Sequence, residues 1–364
     1  MCRHLADGGR RCPGHDSPAA REKHNERRRR NRALRAGTAA LLKELGGLDH
    51  MLPANSSAPQ FKGWLIDAGF DPEAIIEHTL DRPGQPFVTW SNDEGLPPDV
   101  ARAVKVGMCR QGQHEEERVL LSSHPARREL PEVLGMNVTW KVTFENGAVG
   151  YAKPFAYLDH NLAWAYGHVE GPLQPVHEVA AWQLAQRLGE PWSRMVAPCV
   201  FREIEGHMCS VSARRFGTEE IPSVDGLNPP ESLGFFDSLT GQQDRHYGNV
   251  LVGPSLTQLS AIDHGFAFKR PGDEVNNSES VRYRRGRAPE LTTHERDVAR
   301  RLSQSPTLHG LSLMLEQERA QAVRTRARRM AVEGHVVPPG LVFVPRVEYW
   351  SAADNFWEWG DDDG

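Results

Sequence analysis

Cysteine is scarce in this chain, and the five present (Cys2, Cys12, Cys109, Cys199 and Cys209) are odd in number and scattered. That pattern argues against a disulfide framework and for a reducing interior. Long apolar runs are missing as well. None approaches the ~18–20 residues that a membrane-spanning helix needs. The opening MCRHLADGGRRCPGH holds no apolar stretch of the kind a secretory leader carries. No internal repeat is visible. Hydrophobic residues still make up 39% and charged residues 25% of the 364, enough for a sizeable core and against global disorder. A cytoplasmic protein is expected, built as one large two-lobed domain or two ordinary domains with arms.

Charge is present but unevenly placed. The net is −5, yet the first 35 residues carry +7, leaving −12 for the rest. Most of the excess sits in REKHNERRRRNRALR, residues 21–35, at +6. A basic arm on an acidic body suggests contact with nucleic acid, an acidic surface or the protein's own body. Arg27–Arg35 is therefore a candidate polyanion contact, with a solvated helix as the plainer alternative. At the far end Asp354, Glu358, Asp361, Asp362 and Asp363 alternate with Trp350, Trp357 and Trp359, which reads as a solvated acidic tail.

Local signals place the elements. Ser17-Pro18 is an N-cap with a first-turn proline, and Gly46-Gly47 ends the helix it opens. Only the second half of that helix, with Leu34, Thr38, Leu41, Leu42 and Leu45 on one face, can dock. Residues 53–60 read as a linker. Asp71–Leu80 reads as a helix, Phe87–Trp90 as a short strand, and a further helix starts at Pro98. Beyond Leu134 the pattern alternates around Glu145-Asn146-Gly147, a hairpin signal. A helix over PVHEVAAWQLAQRLGE follows, then a second hairpin turning at Glu205-Gly206. PPESLGFFDSLTG is helical, NVLVG and LSAID are short strands, and two later helices follow, the first opened by a capping box from Thr292 to Glu295. This is an α+β plan with a small β-rich lobe and a larger α lobe.

Five polar residues stand out within it. Lys153 lies on a predicted strand, Glu178 on the next helix, Asp244 and Asn249 in QQDRHYGNVLV, and Asp263 directly after a strand in AIDHGFAF. Phosphoryl transfer asks for positioning and charge neutralisation more than for covalent chemistry. A strand lysine can pair the α/β-phosphates of ATP while a helix glutamate holds it extended. An Asn and an Asp on neighbouring strand ends supply the hard oxygens that Mg²⁺ prefers, and Mn²⁺ accepts the same donors. An Asp five residues before the Asn can take the proton of an attacking hydroxyl. Each piece alone is more often a solvated or structural residue. The order Lys, Glu, Asp-x4-Asn, Asp-x-Gly in matching secondary structure points to a kinase-like site.

Residues from about 134 to 270 resemble the phosphatidylinositol 3-/4-kinase-like branch of the protein-kinase-like superfamily, especially its small actinobacterial-type members. AVGYAKPF is similar to that branch's lysine strand, HEVAAWQLAQRLG to its helix, DRHYGN to its catalytic loop and IDHGFAF to its metal loop. The resemblance implies a bilobal kinase-like fold in which Lys153 and Glu178 serve ATP phosphates. It also implies that Asp244 is catalytic, that His246 lines the catalytic loop, and that Asn249 and Asp263 bind Mg²⁺. Two features depart from the pattern: no G-x-G-x-x-G loop precedes Lys153, and His264 stands where protein kinases carry the Phe of D-F-G. The expected division is a basic arm over 1–47, an accessory region over 48–130 packing on the small lobe, a catalytic domain over 131–335 hinged near 212–217, and an acidic tail over 336–364. The expected activity is ATP-dependent transfer to a protein or small-molecule hydroxyl. A nucleotide-binding pseudokinase adaptor and an AMP-transferring enzyme on the same fold are the alternatives. Finally, Cys2, His4, Cys12 and His15 offer two thiolates and two imidazoles to a tetrahedral Zn²⁺. Their C-x-H-x7-C-x-x-H spacing matches no finger pattern, and a tail with stray Cys and His is preferred.

Overall fold

The computed structural model describes residues 17–53, 56–90, 96–130, 138–157, 173–215, 231–253, 259–270 and 278–336. The chain divides into two units, Met1–Ser91 and Asn92–Gly364.

In the first unit, α1 (Pro18–Glu44) is capped by the Ser17 side chain, which accepts from the Ala20 N–H, and carries Pro18 at its first turn. Its buried residues are Ala33, Leu34, Gly37, Thr38, Leu41 and Leu42, the face expected from the periodicity. Gly37 does not break the helix because α3 (Pro72–Asp81) crosses there: a Cβ on Gly37 would lie 2.0 Å from Thr79 Oγ1. Two expectations need correction. The linker ends early, since α2 (Ala58–Asp67) starts at Ala58 behind a capping box of Ser57 and Gln60. No strand forms over Phe87–Trp90. The N–H groups of Phe87 and Val88 donate instead to the Glu44 carboxylate at 2.9 and 2.8 Å, and Phe87 stacks on His78. A helix-terminal carboxylate has taken the donors a neighbouring strand would have used.

The second unit is α+β, as expected. Helices α4 (Pro98–Arg110) and α5 (Glu115–Leu121) lead into a five-stranded sheet of order β1-β2-β3-β5-β4, antiparallel throughout. Its strands are β1 (Pro125–Glu129), β2 (Trp140–Phe144), β3 (Val149–Pro154), β4 (Cys199–Ile204) and β5 (His207–Ala213). Trp140, Val142, Phe144, Ala152, Val200, Cys209 and Val211 form the buried face, with Leu120 of α5 packed into it. Because strand side chains alternate, Lys153 beside Ala152 points to the other face, opposite Ser210 in the register. That second face meets α6 (Gln174–Leu188), which separates the two hairpins in sequence.

Helix α4 seals the β4 edge. Gln111, just past its end, donates Nε2–H to the Phe201 carbonyl at 2.8 Å and accepts from the Phe201 N–H at 2.9 Å. Contact is tight enough that a Cβ on Gly107 would lie 2.5 Å from Phe201 Cε2. Gly107→Ala gains about 1 kcal/mol of helix propensity. Overpacking against the fully buried Phe201 costs about 1–3 kcal/mol. Net destabilisation is the expected outcome, and a urea midpoint equal to or above the parent's would contradict it.

The remainder is mostly helical: α7 (Trp192–Met195), α8 (Glu231–Thr240), α9 (Glu279–Arg287), α10 (Thr293–Gln304), α11 (Leu311–Met314) and α12 (Gln317–Glu333). Between α8 and α9 lies the short antiparallel pair β6 (Val250–Val252) and β7 (Leu259–Ala261). Among the described residues no helix is long and apolar enough to cross a membrane.

Candidate active site

The site is assembled from three separate elements. Lys153, on β3, reaches Glu178 Oε1 on α6 at 2.7 Å and Asp263 Oδ1 beyond β7 at 2.9 Å. Glu178 sits one turn into a helix with almost no exposed face. Its second oxygen accepts from the His264 N–H at 2.9 Å, so one carboxylate joins the strand lysine to the loop after β7. Asp263 itself is in the left-handed region, φ +55, a conformation that Asp tolerates better than most residues. Gln242 holds its carbonyl through Nε2 at 2.8 Å.

The electrostatics follow from that cluster. Burial alone would lower the Lys153 pKa, but Asp263 and Glu178 outweigh it and raise it, so the ammonium stays charged. Burial likewise opposes the ionised form of Asp263, yet the Lys153 ammonium holds its carboxyl down to about 2. Glu178 is shifted the other way, upward, by burial and by the charge on Asp263, against the pull of Lys153. The Asp263 side chain retains 37% of its exposure whereas that of Glu178 retains 4%. Glu178 is thus the anchor and Asp263 the group that faces outward.

The other sequence-predicted residues lie on the adjoining loop. Asn249 Nδ2 donates to the Asp244 carbonyl at 2.8 Å, which turns the amide so that its oxygen is the atom left for a cation. The Asn249 carbonyl accepts from the Ile262 N–H at 3.1 Å, which places Asn249 beside the chain entering Asp263. Asp244 and His246 are half-buried, and the His246 carbonyl accepts from the Asn249 N–H at 3.0 Å. Cys2, His4, Cys12 and His15 lie outside the described residues, as do residues 216–217 of the expected hinge and the tail from 337.

Sequence reasoning missed the group that holds these loops together. Arg245 is fully buried and donates to both Asp237 oxygens, at 3.0 and 3.3 Å, and to the Asn249 carbonyl at 2.9 Å. It also donates to the Ile262 carbonyl and to His264 Nδ1, the latter at 3.1 Å. Asp237, on α8, further accepts from Ser278 and Ser280 at the start of α9. A lone Asp inside the apolar run GFFDSLTG was the available signal. His264 completes the knot: Nδ1 accepts from Arg245, Nε2–H faces the Ala261 carbonyl at 3.3 Å, and the ring packs edge-on against Phe236. Burial and the Arg245 charge push its pKa well below the ordinary 6.5, so it is the neutral tautomer. The position thus demands a ring with an acceptor nitrogen, which phenylalanine lacks.

His177 is buried neutral in the same way. Its pKa is driven well below 6.5 by burial and by the Arg319 charge, despite the bond from Nδ1 to the Gly265 carbonyl at 3.0 Å. Below pH 6.5 the unfolded chain binds a proton that the folded chain refuses. Stability is therefore lost as the pH drops below 6.5, by about 1.4 kcal/mol per pH unit for each such histidine. Urea unfolding at pH 7 and pH 5 measures this, and His177→Gln should flatten the dependence by about that slope. An unchanged slope would contradict the assignment.

No family model matches this chain, and no curated protein matches it. Solved structures do. The Golgi casein kinase with Mn/ADP bound is 14% identical, aligns over 64% of this chain and 79% of its own, and has a TM-score of 0.40. A second Golgi casein kinase structure, also 14% identical, aligns over 66% of this chain and 84% of its own, again with a TM-score of 0.40.

Proposed function

We propose that residues 131–335 form an ATP-dependent phosphotransferase domain of the phosphatidylinositol 3-/4-kinase-like kind, which passes the γ-phosphate to a protein or small-molecule hydroxyl. One observation carries the reading. Lys153, Glu178 and Asp263, from a strand, a helix and a loop separated by 25 and 110 residues, meet in a single ion-pair cluster. A structural ion pair needs two partners; this one spends two carboxylates on one lysine and leaves the second carboxylate facing outward.

The residues fit the groups such chemistry needs. Among the described residues, two of the three Lys153 N–H donors are occupied, by Glu178 and Asp263, and the third remains for a phosphate oxygen. Asn249 and Asp263 supply one neutral and one charged hard oxygen, the donor set for Mg²⁺ or Mn²⁺. Among the described residues no group of three or more His, Cys, Asp or Glu is arranged to hold a metal. An ion carried on nucleotide phosphates requires only one or two protein oxygens. When bound, it neutralises the charge that develops on the phosphoryl group.

Asp244 accepts the proton of the acceptor hydroxyl as that oxygen bonds to the γ-phosphorus and the bond to the ADP oxygen breaks. Arg245 takes no part in bond making; it fixes the loop on which Asp244 and Asn249 stand. Parallel incubation of the full chain with γ-labelled and α-labelled ATP tests the reading. Label transferred from the γ position alone is the expected result. Transfer from the α position would mean AMP transfer, and nucleotide binding with no transfer would mean an adaptor; either overturns it.

A further inference from the structure

The first half of α1 is not explained by packing. No residue of the helix before Ala33 is buried, and residues 21–29 are exposed on every side. A helix turns about 100° per residue, so Arg21, Arg28, Arg32 and Arg35 fall within roughly 60° of one another. This stripe is about 21 Å long at 1.5 Å per residue. It lies opposite Leu34, Leu41 and Leu45, the residues that dock the helix. Glu22 and Glu26 lie off the stripe, about 100–140° round the axis from Arg21. Arg30 is paired with Glu73, and Arg35 is held by the Ser56 carbonyl and the Phe61 ring. By contrast, Lys23, Arg27, Arg28 and Arg32 meet no partner among the described residues.

From this geometry we infer that α1 is a docking element for B-form duplex DNA, lying along the major groove with the arginine stripe on phosphates. Seven of the eight basic residues in 21–35 are arginine, whose planar fork matches phosphate oxygens in pairs. A bare helix about 10–12 Å across fits a major groove about 12 Å wide, whereas the deep, narrow groove of duplex RNA shuts it out. A lipid surface is a poorer match, because residues 18–32 offer no apolar side chain larger than proline or alanine to bury in it. No Phe, Tyr or Trp is there to stack on a base, so recognition is by charge and shape and is independent of base sequence.

The test uses the full chain and a labelled random-sequence duplex of about 20 base pairs, followed by anisotropy across a salt series. A duplex RNA of the same length is run beside it. Binding to DNA at low salt, weakening steeply as salt rises, is expected. The double variant Arg28→Gln and Arg32→Gln, the two stripe residues that meet no partner among the described residues, should bind at least about tenfold more weakly at low salt. Its salt slope should be shallower by about 1.8, at about 0.9 per phosphate released. Since the two side chains meet no partner among the described residues, far-UV circular dichroism and phosphotransfer should be unchanged. Four outcomes each overturn the inference: no DNA binding at low salt, equal binding by the variant, preference for the RNA duplex, or binding that emerges only after residues 337–364 are removed. The last would make the chain's own acidic tail the occupant.

Discussion

Asp263→Ala is expected to abolish transfer and to weaken Mg²⁺-ATP binding by at least about tenfold, or 1.4 kcal/mol, whereas Asp244→Ala keeps binding and loses only turnover. The contrast follows from where the two carboxylates stand. Asp263 is the outward member of the Lys153 cluster and the one charged oxygen donor proposed for the metal. Removing it also releases Lys153 from one of its two carboxylate partners. Asp244 is in neither ion pair of that cluster. Its loss removes the proposed proton acceptor, a general-base contribution of roughly 10²–10⁴ in rate. Calorimetry with Mg²⁺-ATP, run beside turnover, separates the two. Equal binding losses in both variants would sink these roles. Asp263→Asn serves as a control for folding, because it keeps shape and hydrogen bonding while losing charge.

Arg245→Ala should be the most destabilising single substitution in the site, although its side chain touches no substrate in the proposed mechanism. The guanidinium and Asp237 are both fully buried, and removing one member strands the other charge in a dry interior. That costs about 3–5 kcal/mol, a large share of the 5–15 kcal/mol by which domains are held folded. Asp237→Ala should cost a similar amount, since it strands Arg245 and also strips a partner from Ser278 and Ser280. Arg245→Ala combined with Asp237→Ala should cost clearly less than the two single losses added, because no charge is left without its partner. Urea midpoints for the four proteins close the cycle. Strict additivity would show that the pair does not act as a unit.

What could be read from residues alone was what is decided locally. Ser17-Pro18, Asn146-Gly147 and the Thr292–Glu295 box are short-range devices, and each sits where the structure has a helix start or a turn. The stretch Phe87–Trp90 has strand composition, but a strand needs a partner ladder, and Glu44 had already taken two of its donors. Strand β1 went unseen for the opposite reason: PARRE has no alternation, being a charged, largely exposed edge. Helix α9, ESVRYRRGR, lacks an apolar stripe and depends on Ser278 capping it and on distant Asp237. In the site, the order of motifs singled out Lys153, Glu178 and Asp263, which the structure brings together. The Arg245–Asp237 knot remained hidden because a buried ion pair is a property of tertiary packing: a lone Asp in an apolar run marks one member, but nothing in the letters says which cation meets it.

The Gln111 clasp on Phe201 has a consequence for how this molecule meets copies of itself. An outermost strand with open amides and carbonyls is a template on which another chain can crystallise into a growing ribbon. On β4 the Gln111 amide occupies both polar groups of Phe201, in the manner of one residue of a sixth strand. On the opposite border, Arg127, Arg128 and Glu129 set charges along β1 that discourage the same event. Gln111→Ala would leave the fold's chemistry untouched and its border unguarded. Thioflavin fluorescence and light scattering on prolonged incubation should then rise above the parent's, and identical traces for the two proteins would show that α4 screens the border without help from the amide.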